Sequence, residues 1–269
     1  MSLSTDPFLP NQDLTLDHDS LHRRYQLCRL GFTFLAVATF LRALDVALHL
    51  GVLLTFGGLF GVVQDEWYQW GLRGAMVAAG LVGPYLLWAR WDHPKWMSMT
   101  GLLITAGLVD LVLWGLDRSV GGPMQGEHQW VRLHLARGVS WLEVGLGTRL
   151  VTTFLDHLER HQLARSSEKL YGFLATGVSL WLFYMVRQTA WRQGWPLAQR
   201  GLDGLGLTML MAYFFPLALA AARLSILNLS CAREAAILVA DWRRHLAGSD
   251  KELLQSRSEL WDPMDGPTR

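Results

Sequence analysis

The chain predicts an all-α integral membrane protein, a bundle of six transmembrane helices with both termini on the cytoplasmic side. Three observations carry that expectation. Hydrophobic residues make up 51% of the 269 and charged residues only 17%, against roughly 25% charged in an ordinary soluble domain. The apolar residues gather in long runs, the longest at 29–63; at about 1.5 Å per residue it exceeds the ~30 Å hydrocarbon core of a bilayer. Finally, Lys and Arg outside those runs fall mostly on one side once six crossings are drawn.

In chain order, residues 1–28 read as a polar, disordered cytoplasmic tail with Pro7 and Pro10. It has no apolar segment of the signal-peptide kind, so the first span is expected to act as its own insertion signal. The first span, 29–63, carries Arg42, Asp45 and His49 in its middle. A polar link at 64–70 leads to a second span at 72–89, rich in the Gly and Ala that let helices approach closely, with Pro84 as a kink. The link 90–96 combines charges with tryptophans. The third span, 97–116, carries Asp110, and the loop 117–129 turns at Gly121-Gly122-Pro123.

The fourth segment, 130–155, is ambiguous. Leu135, Val139, Leu142, Leu146 and Leu150 recur at helical spacing. Arg132, His134, Arg137, Glu143 and Arg149 weigh against a crossing, since each charge at a helix centre costs roughly 2.5–3.5 kcal/mol on the insertion scale. A basic link at 159–169 leads to a fifth span at 170–186, a loop at 187–204 and a sixth span at 205–229 containing Pro216. Residues 230–269 are expected to form a cytoplasmic extension, helical over 232–247 and disordered over the last twenty residues.

Charge placement decides whether 130–155 crosses. With six spans, the tails, Arg29 at the head of the first span and the links 90–96 and 159–169 share one side and hold fourteen Lys and Arg residues. The opposite loops hold four: Arg118, Arg187, Arg192 and Arg200. With five spans the bias disappears. Positive charge marks the cytoplasmic face, so six crossings are expected. Trp67, Trp70, Trp114, Trp130, Trp191 and Trp195 then fall near the outer interface, and Trp88, Trp91 and Trp96 near the inner one.

Arg42, Asp45 and His49 are spaced i, i+3, i+7 and share one sector of a helix, which must point away from lipid. One reading is a proton or ion relay in which Asp45 and His49 titrate beside Arg42. The other is a self-neutralising Arg42–Asp45 pair, with His49 hydrogen-bonded to a neighbouring helix. Glu143 falls at a depth similar to that of Arg42 or Asp45. The first and fourth helices are therefore expected to pack together, Glu143 compensating Arg42 and a fourth-helix arginine compensating Asp45. Alternatively, the fourth helix lines an interface or cavity and its arginines snorkel. His134, Arg137 and Arg149 share a second face of it. Asp110 is expected to be a helix-end carboxylate reached by water or paired with Arg118, with relay membership as the alternative; Arg223 is expected to snorkel.

No cofactor or metal is expected. His49 and His134 lie at unequal depths and make a poor axial pair for haem. His157 and His161, one turn apart, have no third ligand fixed by spacing, and Cys28 and Cys231 stand alone. No phosphate-loop, zinc-protease, nucleophile-elbow or dinucleotide motif occurs. The net charge of +1, without a basic stripe, argues against nucleic acid. The expected partners are the lipid bilayer, other membrane subunits or a second copy of the chain. Two function classes follow. The first is a non-enzymatic subunit or assembly component of the bacterial cell (inner) membrane, favoured because no internal repeat is present. The second is a small proton- or ion-coupled transporter or channel using the Arg42, Asp45 and His49 row.

Overall fold

The structure, a computed structural model, describes residues 18–56, 67–88, 94–119, 127–192 and 203–260. Every described element is helical. In order they are α1 (His18–Phe56), a π-helical segment (Trp67–Arg73) running directly into α2 (Gly74–Leu87), α3 (Pro94–Ser119), α4 (Glu127–His157), α5 (His161–Arg192) and α6 (Asp203–Leu260). Four of them contain stretches long and apolar enough to cross a membrane: Arg23–Gly51, Lys95–Leu116, His161–Arg187 and Phe214–Ala240.

The face each helix buries follows from its sequence. On α1 the buried positions Cys28, Phe32, Leu35, Thr39, Arg42, Val46 and His49 alternate four and three residues apart, the seam of a helix packed along its length. The opposite face is also apolar, yet exposed: Leu30, Phe34, Val37, Phe40 and Leu44. A helix that is hydrophobic all round, with its charges turned inward, matches a lipid surround rather than water. Hydroxyls obey the same constraint, since Thr39, Thr100, Thr148 and Thr176 each donate to the carbonyl four residues earlier in their own helix.

Small residues and one ring-into-gap interlock set the helix neighbours. α1 packs chiefly along α6 and α2. Ser225 Oγ of α6 donates to the Ala36 carbonyl of α1 at 2.9 Å. At the α1–α2 crossing, a Cβ added to Gly31 or to Gly83 would come within 3.0 Å of the other's carbonyl oxygen, so the two backbones touch there. Between α4 and α5 the fit is reciprocal: the Trp141 ring fills the space over Gly177, and the Trp181 ring lies against Gly138. Phe32, Trp96 and Phe154 join α1, α3 and α4 in an aromatic cluster, with the Phe32 and Phe154 ring centroids 4.7 Å apart.

Several boundaries differ from the sequence reading. The expected link at 159–169 is only a tight turn at 158–160, and α5 starts at His161. Arg160 N–H bonds the Leu155 carbonyl at 2.9 Å and Glu159 N–H bonds that of Asp156 at 3.0 Å, a Schellman cap. Glu159 occupies its left-handed position (φ 57°), where Gly is usual, so no turn residue marked the site. α6 runs on to Leu260, through residues expected to be disordered, and its apolar stretch reaches Ala240 instead of ending near 229. The cause is legible afterwards, because Ala232, Ala235 and Val239 keep burying the same face. Part of the 64–70 link is helical, as Trp67–Trp70 belong to the π segment. Trp96, expected at the interface, is buried and donates to the Leu87 carbonyl at 2.9 Å. Residues 57–63 of the expected first span, both outermost tails and most of the loops lie outside the described residues.

Candidate functional site

α1, α3 and α4 meet in the bundle interior through charged side chains. Arg42 is the hub. Its Nη2 lies 3.1 Å from Asp110 Oδ2 of α3 and pairs with Glu143 of α4, while its Nη1 donates to Ser140 of α4. Three residues further along α1, Asp45 takes the opposite role. Its Oδ2 accepts from Arg137 Nη1 of α4 at 2.9 Å, and its Oδ1 accepts from the Tyr68 hydroxyl of the π segment. Arg42, Asp45, Asp110 and Arg137 are each at most 5% exposed.

The antiparallel course of α1 and α4 explains the pairing. Arg137, Ser140 and Glu143 are three residues apart, so they climb one side of α4 while Asp45 and Arg42 descend α1 beside them. The helices share few backbone contacts; the long arginine side chains span the gap. Guanidinium suits this task, with five N–H donors on a planar fork that can serve several oxygens at once. Arg137 also lies over the Phe214 ring of α6, 5.0 Å from its centroid, which adds a fourth helix.

His49 completes the α1 row. Its Nδ1 is 2.7 Å from the Asp45 backbone carbonyl and 3.3 Å from the Asp45 carboxylate, and its Nε2 is 3.5 Å from the Tyr68 hydroxyl. The ring therefore joins the Asp45–Tyr68 group, and its neighbour beyond α1 is the π segment that leads into α2.

Measured against the sequence reading, the structure joins Arg42 to Glu143 and Asp45 to Arg137 across α1 and α4. It does not form the self-neutralising Arg42–Asp45 pair, because Arg42 turns to Glu143 and Asp110 while Asp45 turns to Arg137 and Tyr68. Asp110, expected as a wet helix-end carboxylate or a partner of Arg118, is buried at 3% exposure and bound to Arg42. In lipid, a carboxylate at that depth lowers its energy most by reaching a buried cation. Arg149 stands apart from the network and is exposed between α3 and α4. The His134 side chain lies outside the described residues. Arg223 is exposed, its Nη2 3.1 Å from Ser166 Oγ at the start of α5.

Two members were missed. Ser140 falls midway between Arg137 and Glu143, on the row of every third residue that links their two faces, a signal that was available. Tyr68 falls in the link expected at 64–70, and only the π segment brings its hydroxyl onto Asp45. Among the described residues, the buried Arg137 Nε, both amide atoms of Asn228 and the indole N–H groups of Trp141 and Trp181 have no hydrogen-bond partner. Among the described residues no group of three or more His, Cys, Asp or Glu could hold a metal.

Outward-facing apolar helices around an inward-facing ion network define a helical membrane protein. No protein-family model, curated protein or solved structure matches the chain.

Proposed function

We propose that the protein is a six-span integral membrane protein of the bacterial cell (inner) membrane, with both termini cytoplasmic. It acts there as a non-enzymatic structural or assembly component. The observation that carries the reading is the pairing of Arg42, Asp45, Asp110, Arg137 and Glu143 across α1, α3 and α4. Charges spent on one another brace helices. The fourteen-to-four distribution of Lys and Arg supports the crossings and their orientation. In that orientation the Asn228-Leu-Ser230 sequon falls on the cytoplasmic side and is inert.

A second reading, proton- or ion-coupled transport, is favoured by one feature. Three carboxylates (Asp45, Asp110, Glu143) face two guanidiniums (Arg42, Arg137), which leaves one negative charge while His49 is neutral. A proton or small cation that balances it would be the cargo.

One experiment separates the two. Purified protein in liposomes is followed for proton and cation flux across an imposed pH gradient, with Asp45→Asn and Glu143→Gln beside the wild type. A brace predicts no flux in wild type and loss of stability in both variants. Flux that disappears in a folded, monodisperse variant would overturn the brace in favour of transport.

A further inference from the structure

We infer that the groove between the start of α3 and the end of α4 binds an anionic phospholipid. It has a volume of about 640 Å³. Its walls are two facing helical strips: Lys95, Met99 and Leu102 of α3 lie opposite Leu146, Arg149 and His157 of α4. The spacings along each strip keep its side chains on one face.

The chemistry is graded along the groove. Lys95 is the first residue of the apolar stretch of α3, so that end lies at the membrane boundary. Leu102 is about 10 Å deeper by helical rise and is exposed. Arg149, on the facing helix, is exposed as well. Neither Lys95 nor Arg149 has an ion-pair partner among the described residues, whereas the arginines of the network are all engaged. An exposed arginine within a membrane bundle requires an anion or water.

Charge complementarity selects the occupant. Lys95 and Arg149 bring two positive charges against one on Asp156, which also lies 3.9 Å from His161. With His157 neutral, the groove carries a single net positive charge. One phosphodiester balances it, while an acyl chain covers Leu102, Met99 and Leu146. A zwitterionic headgroup carries its own ammonium and balances nothing. A basic pocket between membrane helices at headgroup level is the setting in which anionic lipids bind. The inference needs only that α3 crosses the membrane, so it stands apart from the brace.

The test uses the full-length protein in detergent. Phosphatidylglycerol or phosphatidylcholine is added, bound lipid is counted by native mass spectrometry, and thermal stability is followed in parallel. The wild type is expected to retain phosphatidylglycerol and to melt higher with it than with phosphatidylcholine. The double substitution Lys95→Gln with Arg149→Gln should lower phosphatidylglycerol affinity roughly tenfold or more. Its melting temperature in phosphatidylcholine should change little, because neither side chain holds an ion-pair partner among the described residues. Equal retention of the two lipids by wild type would overturn the inference without recourse to any variant. So would a double variant that keeps the preference.

Discussion

Asp45 and Arg137, 92 residues apart in sequence, meet at 2.9 Å inside the bundle and tie α1 to α4 where their backbones hardly touch. Three residues away on each helix, Arg42 and Ser140 make a second tie. These contacts replace the close side-by-side packing that α1 makes with α6. Helix register in this part of the molecule therefore rests on polar geometry, and the predictions below test that dependence.

Arg42 serves Asp110, Glu143 and Ser140 together. Arg42→Met should strand two buried carboxylates and lower stability by about 3–5 kcal/mol, the usual cost of removing one partner from a buried pair. Arg42→Lys should recover only part of it, because one ammonium lacks the planar fork that reaches three partners. Thermal unfolding in detergent, with size-exclusion profiles beside it, checks both.

Depth should matter more than distance. Arg160 and Glu234 also approach to 3.0 Å, but the Arg160 side chain is 53% exposed. Glu234→Gln is expected to cost less than about 1 kcal/mol, as exposed ion pairs do. A loss equal to that of Arg42→Met would contradict the ranking.

The α4–α5 interlock predicts a contrast between glycines. A methyl at Gly177 would overlap the Trp141 ring, whereas one at Gly145 would meet nothing within 4 Å. Gly177→Ala should therefore destabilise by about 1–3 kcal/mol through overpacking. Gly145→Ala should be neutral or slightly stabilising, because alanine is the better helix former. Melting temperatures of the two variants, measured side by side, decide it.

Orientation can be read by thiol labelling on a quiet background. Cys28 and Cys231 are both fully buried and should resist maleimide until the protein is denatured. Ser4→Cys and Ser256→Cys should then label only from the cytoplasmic side, and Gly122→Cys only from the opposite one. Any other pattern would refute six crossings with both termini inside.

Much of this site was legible because membrane helices allow few arrangements for a charge. Three polar residues on one sector of an apolar run must face inward, and an antiparallel neighbour at matching depth must supply their partners; Glu143 could be named on that basis, and for Asp45 an arginine of the fourth helix without saying which. For Asp110 the network was only the second reading, because its distance from the helix end spoke for water, while the competing pull of Arg42 arises only when α3 folds beside α1. Tyr68 was hidden by a π segment that no residue pattern announces. The turn at Glu159 was hidden because a glutamate occupies a position that glycine usually marks. Arg149 shares a face with Arg137 by helical angle alone, yet a separation of twelve positions carries it to a different neighbour.

The most direct test of the brace is a double-mutant cycle on Asp45 and Arg137, with unfolding free energies measured for Asp45→Asn, Arg137→Gln and the pair. The brace predicts that each single change is strongly destabilising. It also predicts that the double variant is more stable than the sum of the two losses implies, with a coupling of about 0.5–3 kcal/mol. Additive losses with no coupling would mean that the contact does not hold α1 and α4 together, and would contradict the account.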